Sequence, residues 1–263
     1  MEFTVSEACC GCGACVRDCP VAVLTLQDGR AQVRADRAGM CLGCQHCLAV
    51  CPTGAVAFDG TYAADVLAPV PPRTPVDALV KTRRSIRQFA ADDLSRAEIA
   101  DVLETLKYVP TGCNVRHLTF TVVTGRARLA ELRARTVALL RTHGGQLPEF
   151  LKSTLVSAIK HPESDPFFRH APHLLIVSGD PGAVTPQYDC VAACAYFDLL
   201  AQSRGLGVCW CGFFKIILDA VPEAASIFGL APGVPCYAML FGRPAVAYAR
   251  GVNRAAGASV AWL

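Results

Sequence analysis

The sequence predicts an α+β protein in two parts, a small cysteine-rich domain over residues 1–60 and a larger mixed domain over 76–263. Three observations predict it. One cysteine run occurs twice near the start, as Cys9-x-x-Cys12-x-x-Cys15-x-x-x-Cys19-Pro20 and as Cys41-x-x-Cys44-x-x-Cys47-x-x-x-Cys51-Pro52. Four prolines then fall within Ala68–Pro75, which keeps that stretch extended and makes 61–75 a linker. Beyond it, strand-like and helix-like periods are interleaved, and the strands are few.

The duplicated run predicts iron–sulfur ligation. A C-x-x-C-x-x-C segment wraps three corners of a cubane, and the fourth corner needs a thiolate from elsewhere. Zinc knuckles supply two ligands each, not three and a fourth before proline. A disulfide framework suits a short secreted chain with an even cysteine count. This chain has 263 residues and 15 cysteines, and Met1–Cys10 carries no apolar leader. Val21–Leu26 and Ala55–Phe58, each just after a run, read as short strands over a two-fold core. The first sixty or so residues resemble bacterial two-cluster ferredoxins, in which the last cysteine of each run ligates the other cluster. One [4Fe–4S] cluster is therefore expected on Cys9, Cys12, Cys15 and Cys51, and a second on Cys41, Cys44, Cys47 and Cys19. Cys10 is left over.

Composition sets the broad class. With 52% hydrophobic and 18% charged residues the chain reads as folded and well buried. A net charge of +3, without a Lys/Arg run interleaved with aromatics, argues against nucleic acid. Val191–Leu200 is apolar but too short to span a membrane. A reducing, cytoplasmic setting is expected.

In the second part, Thr74 and Pro75 read as the start of a helix with Asp77 in its first turn. Ser95 and Glu98 form a capping box, followed by Ile99, Val102, Leu103 and Leu106 on one helical face. Leu118–Val123 reads as a strand, Arg126–Arg141 as a helix and Leu174–Val177 as a strand. A helix follows from Thr185-Pro186 to about Ser203; it is apolar nearly all round and should be buried on every side, in a core or at a subunit interface. Cys236–Phe241 is the last strand. Gly144–His173 is expected to be a lid, with His161, His170 and His173 as candidate proton donors, although an ordinary surface or core histidine is the plainer reading of each.

Three segments carry ligand-binding chemistry. Lys81-Thr-Arg83-Arg84-Ser85-Ile-Arg87 gathers cations around a hydroxyl, which suits either a solvated helix end or a phosphate. Pro110-Thr111-Gly112-Cys113-Asn114 offers turn geometry and polar groups able to meet a heterocycle edge. In Gly205-Leu-Gly207-Val-Cys209-Trp210-Cys211-Gly212 the glycines allow close approach of a ligand, Trp210 offers a stacking face, and the two cysteines read as small packing residues. No G-x-G-x-x-G follows a strand, so a Rossmann site is not indicated.

In this order, the three segments resemble the FMN-dependent nitroreductase family, from about Asp77 to the C-terminus. The resemblance implies an α+β homodimer with FMN at two interface sites. It implies that Arg83, Ser85 and Arg87 hold the phosphate, ribityl and pyrimidine end, and that Thr111, Gly112 and Asn114 belong to the loop reaching the flavin across the dimer. It implies that Trp210, Cys211 and Gly212 run along the isoalloxazine, and that Arg250, in preference, and Arg254 supply phosphate contacts near the C-terminus. Where many relatives continue the Asn loop with Gln-Pro-Trp, this chain has Val115-Arg116-His117-Leu118. No protein nucleophile is called for. The expected activity carries electrons from a low-potential donor such as ferredoxin, through both clusters and FMN, to a small organic acceptor: a nitro compound, quinone or activated alkene. Reverse flow from NAD(P)H to a protein partner, and a redox sensor without turnover, are the alternatives.

Overall fold

The computed structural model describes residues 2–65, 76–145, 147–161, 163–254 and 257–263; most of the expected linker, 66–75, lies outside them, as do Thr74 and Pro75. The chain divides into two compact units, residues 1–84 with 246–263, and residues 85–245. The tail after Ala245 and the helix before Arg84 are grouped by their contacts with the cysteine-rich unit.

The first unit contains β1 (Phe3–Val5), α1 (Ala14–Asp18), β2 (Leu24–Gln27), β3 (Arg30–Val33), α2 (His46–Val50), β4 (Val56–Phe58) and α3 (Val76–Thr82). Its two halves repeat one backbone path. Left-handed residues occur at Gly11 and Gly43, Gly13 and Gln45, Ala22 and Gly54, and Asp28 and Gly60, each pair at the offset that separates the cysteine runs. Both helices are five residues long and end at a cysteine before proline, Cys19 and Cys51. β1 pairs antiparallel with β4, Phe3 opposite Phe58, and β2 with β3, Leu24 opposite Val33. The first expected strand begins later than Val21, because Ala22 turns left-handed at φ 51°. Leu48, Val50, Val56 and Phe58 are buried between the halves.

The second unit is a four-stranded antiparallel sheet in the order β5-β6-β8-β7, made of β5 (Leu118–Thr124), β6 (His173–Gly179), β7 (Gly207–Trp210) and β8 (Cys236–Gly242). All seven residues of β6 are buried, as a strand covered on both faces requires. On one face pack α4 (Arg96–Thr105) and α7 (Pro186–Ser203), and on the other α5 (Arg126–Thr142), α6 (Glu149–Lys160) and α8 (Gly212–Ala220). The capping box at α4 is formed: Glu98 N–H donates to Ser95 Oγ at 3.2 Å and Ser95 N–H to Glu98 Oε2 at 2.9 Å.

Two expectations change and a third is narrowed. Residues 144–173 are not a lid. They include α6, and Leu151, Leu155, Phe167 and Phe168 are buried in the core. On α7, Cys190, Ala193, Cys194 and Phe197 are covered within the chain, while Tyr188, Val191 and Tyr196 are exposed on it, which fits the interface alternative and not the core one. Residues 207–210 form a strand. Gly207 meets Ile86 there, since a Cβ would stand 2.7 Å from Ile86 Cγ2, so this glycine serves chain packing. Among the described residues no helix is long and apolar enough to cross a membrane.

Candidate cofactor sites

In the first unit one cavity is lined by Cys19, Cys41, Cys44 and Cys47, with Phe3, Val23, Leu24 and His46 among the other walls. Cys19 arrives from the end of α1, Cys41 and Cys44 from the loop into α2, and Cys47 from the first turn of α2 itself. Val23 N–H donates to Cys19 Sγ at 3.3 Å. Burial pushes the Cys47 thiol up, and neighbouring Cys44, Cys15 and Cys19 push the same way. The Cys15 thiol rises to about 11 through burial, with Cys51 and Cys12 adding repulsion. Cys12, Cys15 and Cys51 therefore form a second neighbourhood, and Cys9 packs against the core containing Cys51. Bare thiolates so placed repel one another; bound iron supplies the opposing charge. All fifteen cysteines are free thiols, and Cys10 is exposed. Among the described residues no three acidic, His or Cys side chains gather closely enough for one metal ion, whereas a cubane takes one thiolate per iron.

The same unit carries a pocket of about 520 Å³ lined by Lys81, Arg83, Arg84, Asp65, Val252, Asn253 and Arg254. Arg84 is buried. Burial, then Arg254 and Arg83, lower its guanidinium to about 10, against a smaller upward pull from Tyr248 and Cys44. Four cations facing one acid favour an anionic ligand. Sequence reasoning passed over Arg84, because a run of cations does not reveal which one the fold buries. Arg250 is not on this wall. Its Nη1 donates to the carbonyls of Cys51 at 2.7 Å and Leu48 at 3.3 Å.

In the second unit, Ser85 pairs in parallel with Val208, and Ile86 N–H donates to Val208 O at 2.8 Å. This places Ser85 and Arg87 along the edge strand that leads into Trp210-Cys211-Gly212. The Cys211 thiol is buried, pushed up to about 12 by that burial, and donates to Phe167 O at 3.5 Å. The indole edge of Trp210 turns onto α7, where Nε1–H donates to Asp198 Oδ2 at 3.0 Å. Gly112–Asn114 form a tight turn in which Gly112 N–H donates to Asp189 Oδ1 at 2.9 Å, and Thr111 Oγ1 accepts from Arg116 N–H at 2.9 Å.

Arg169 is a further cation that the sequence did not single out. It sits with His170 in a left-handed turn, φ 55° and 50°. Asp165 holds that turn by accepting from Phe168 N–H at 2.9 Å and His170 N–H at 3.0 Å. Burial and then the nearby Arg87 depress the Arg169 guanidinium. Of the three histidines, His170 lines a cavity with Arg126, Arg133 and Asp165, its Nε2 meeting Glu163 O at 3.0 Å. His173 is buried with Nε2 accepting from Leu94 N–H at 2.9 Å, and His161 and His170 are exposed.

Residues 80–243 match the Nitroreductase family. The chain belongs to the nitroreductase family. Residues 8–56 match the 4Fe-4S dicluster domain, so this family member carries an iron–sulfur domain at its N-terminal end. The nitroreductase fold recurs in solved structures. A nitroreductase with bound FMN from Bacteroides fragilis is 24% identical with a TM-score of 0.56, over 72% of this chain and 100% of that one. A nitroreductase with bound FMN from Desulfitobacterium hafniense is 20% identical with a TM-score of 0.55, over 71% and 98%. An FMN-dependent nitroreductase from Clostridium difficile is 19% identical with a TM-score of 0.52, over 72% and 98%. Comparison with curated proteins finds no match.

Proposed function

We propose that this chain is an FMN-dependent oxidoreductase that draws electrons from an external low-potential donor, such as ferredoxin, through two [4Fe–4S] clusters and delivers them to a small organic acceptor: a nitro compound, a quinone or an activated alkene. The observation that carries the reading is the cavity walled by Cys19, Cys41, Cys44 and Cys47 in a chain of the nitroreductase family. Cys9, Cys12, Cys15 and Cys51 would hold the other cluster. FMN accepts electrons singly and releases them in pairs, which is the exchange needed between one-electron clusters and a two-electron acceptor.

The chain's own part is to bind and orient. Arg83, Arg84 and Arg254 would take the phosphate, with Lys81 at the rim of the same pocket. Ser85, Arg87, Thr111, Gly112, Asn114 and the backbone of Trp210–Gly212 would hold the rest of the cofactor, as the family resemblance implies. Arg250 is better assigned to the carbonyls that it already meets. A homodimer would cover the exposed Tyr188, Val191 and Tyr196 of α7.

An anaerobic spectral titration tests the proposal. Reduced ferredoxin should bleach the cluster bands and then the flavin band, and adding nitroaromatic or quinone should restore both. Reduction of the flavin by NAD(P)H ahead of the clusters would reverse the assigned direction. Bleaching that no acceptor restores would leave a sensor.

A further inference from the structure

The tail from Val246 to Arg254 is fastened to the iron–sulfur domain by contacts packed into five residues. Val246 and Tyr248 lie against the core that holds Cys15, Leu24, Ala31 and Val50. Tyr248 Oη–H donates to Asp18 Oδ2 at 2.8 Å, and Asp18 is buried. Ala249 N–H donates to Ala49 O at 3.0 Å. Arg250 spans the carbonyls of Leu48 and Cys51, closing the C-terminal end of α2 where the helix leaves carbonyls unpaired. The partners sit beside cluster ligands: Asp18 precedes Cys19, and Leu48 follows Cys47.

Two residues beyond Arg250 the chain enters the cationic pocket, contributing Val252, Asn253 and Arg254 opposite Arg83 and Arg84. Four residues of extended chain reach at most about 14 Å, so the anchor at Arg250 fixes where Arg254 can stand. We infer that Tyr248 and Arg250 are positioning residues that make the phosphate pocket, and so flavin retention, depend on an intact iron–sulfur domain. The inference rests on the reading of that pocket as the FMN phosphate site. Its physical content is entropic. Unfastened, the tail must be ordered when the cofactor binds, and that cost is subtracted from affinity. When the clusters are lost, the Cys51 turn and α2 lose their support, Arg250 loses its acceptors, and FMN leaves.

The test uses the full-length, cluster-loaded protein and added FMN, with dissociation constants from flavin fluorescence and amide exchange at Ala249. Arg250→Gln should keep its iron, speed exchange at Ala249 and raise the FMN Kd about tenfold, as the loss of one charge-assisted hydrogen bond implies. Tyr248→Phe should act in the same direction. Stripping iron from the wild type with a chelator should raise Kd likewise, and stripping Arg250→Gln should add little, because both remove one coupling. If Arg250→Gln weakens FMN while Ala249 stays protected, Arg250 touches the phosphate directly and the inference falls. It also falls if both variants, or chelated wild type, keep the wild-type Kd while Arg254→Ala weakens binding. An unchanged Kd in Arg254→Ala would instead remove the pocket reading itself. Should Arg250→Gln fail to hold its clusters, Tyr248→Phe carries the test alone, since it removes a hydroxyl and leaves the ring packing in place.

Discussion

The indole N–H of Trp210, at the end of β7, donates to the buried carboxylate of Asp198 on α7 at 3.0 Å. Gln202, one turn further along α7, donates to the other oxygen of the same carboxylate. A charged group in the core is thus met by donors from two elements, as burial demands. The contact sets the angle at which the chain leaves β7 for Cys211 and Gly212, the backbone proposed to run beside the flavin ring.

Replacing Asp198 with Ala should therefore reach both stability and site. It strands the Trp210 and Gln202 donors in the core and should destabilise the second unit by about 1–3 kcal/mol. Asp198→Asn keeps one acceptor but turns an amide toward a donor, and should fall between. Thermal unfolding and the tryptophan emission maximum check this; an Asp198→Ala protein with wild-type values of both would show that the pair positions nothing.

Gly112 has no room for a side chain. A Cβ there would stand 2.0 Å from Thr185 Oγ1, and that hydroxyl donates to Asp189 Oδ1 at 2.9 Å, the same oxygen that accepts from Gly112 N–H. Gly112→Ala must drive Thr185 off Asp189 or pull the 111–114 turn away from α7. The expected result is weaker FMN binding with iron content unchanged. Adding Thr185→Ala removes the clashing oxygen and should restore part of the affinity. No recovery in the double variant would mean that the turn fails for another reason.

His173 makes the second unit acid-sensitive. Its Nε2 accepts from Leu94 N–H, so the neutral ring carries its proton on Nδ1. Burial depresses its pKa, Arg126 adding to that and Asp93 opposing it. An unfolded chain takes up a proton near the ordinary value of about 6.5, while the folded one does so only lower. Stability is thus complete above that pH and is lost as pH falls from there toward the folded value. His173→Phe should abolish that part of the slope while lowering stability at every pH, because Leu94 N–H loses its acceptor. An unfolding-temperature series from pH 8 to pH 5 that runs parallel for wild type and variant would contradict the assignment.

Much of this was legible in the chain, for reasons tied to particular residues. The cysteine spacing announces the 4Fe-4S domain that residues 8–56 match, and a local device such as the Ser95–Glu98 box is written within four residues. What escaped depends on distant packing. α6 was missed because Leu151 and Leu155 declare a face only once Phe167 and Phe168 close over it. β7 was missed because its glycine answers to Ile86, far back in the chain. The bonds of Arg250 to Leu48 O and Cys51 O were not legible, because nothing near a terminal arginine hints that α2, about two hundred residues earlier, offers it carbonyls. Arg84 and Arg169 became visible only through the company their burial forces on them.

The cysteines divide sharply in what their loss should do. Cys47 lines the cavity with Cys19, Cys41 and Cys44, and burial pushes its thiol up. Serine at that position offers a poorer ligand in the same crowded space. Cys47→Ser should therefore lose about half of the bound iron and sulfide if Cys41, Cys44, Cys47 and Cys19 hold one of two cubanes. Cys12→Ser should cost the other half, and either change should slow ferredoxin-driven reduction of the flavin. Cys10 is exposed and outside the repeated register, so Cys10→Ser should leave iron content and rate untouched. Iron and acid-labile sulfide analysis on the three anaerobically purified variants decides the matter. Full iron in Cys47→Ser would break the ligand assignment, and a loss in Cys10→Ser equal to that in Cys12→Ser would shift the first run by one residue.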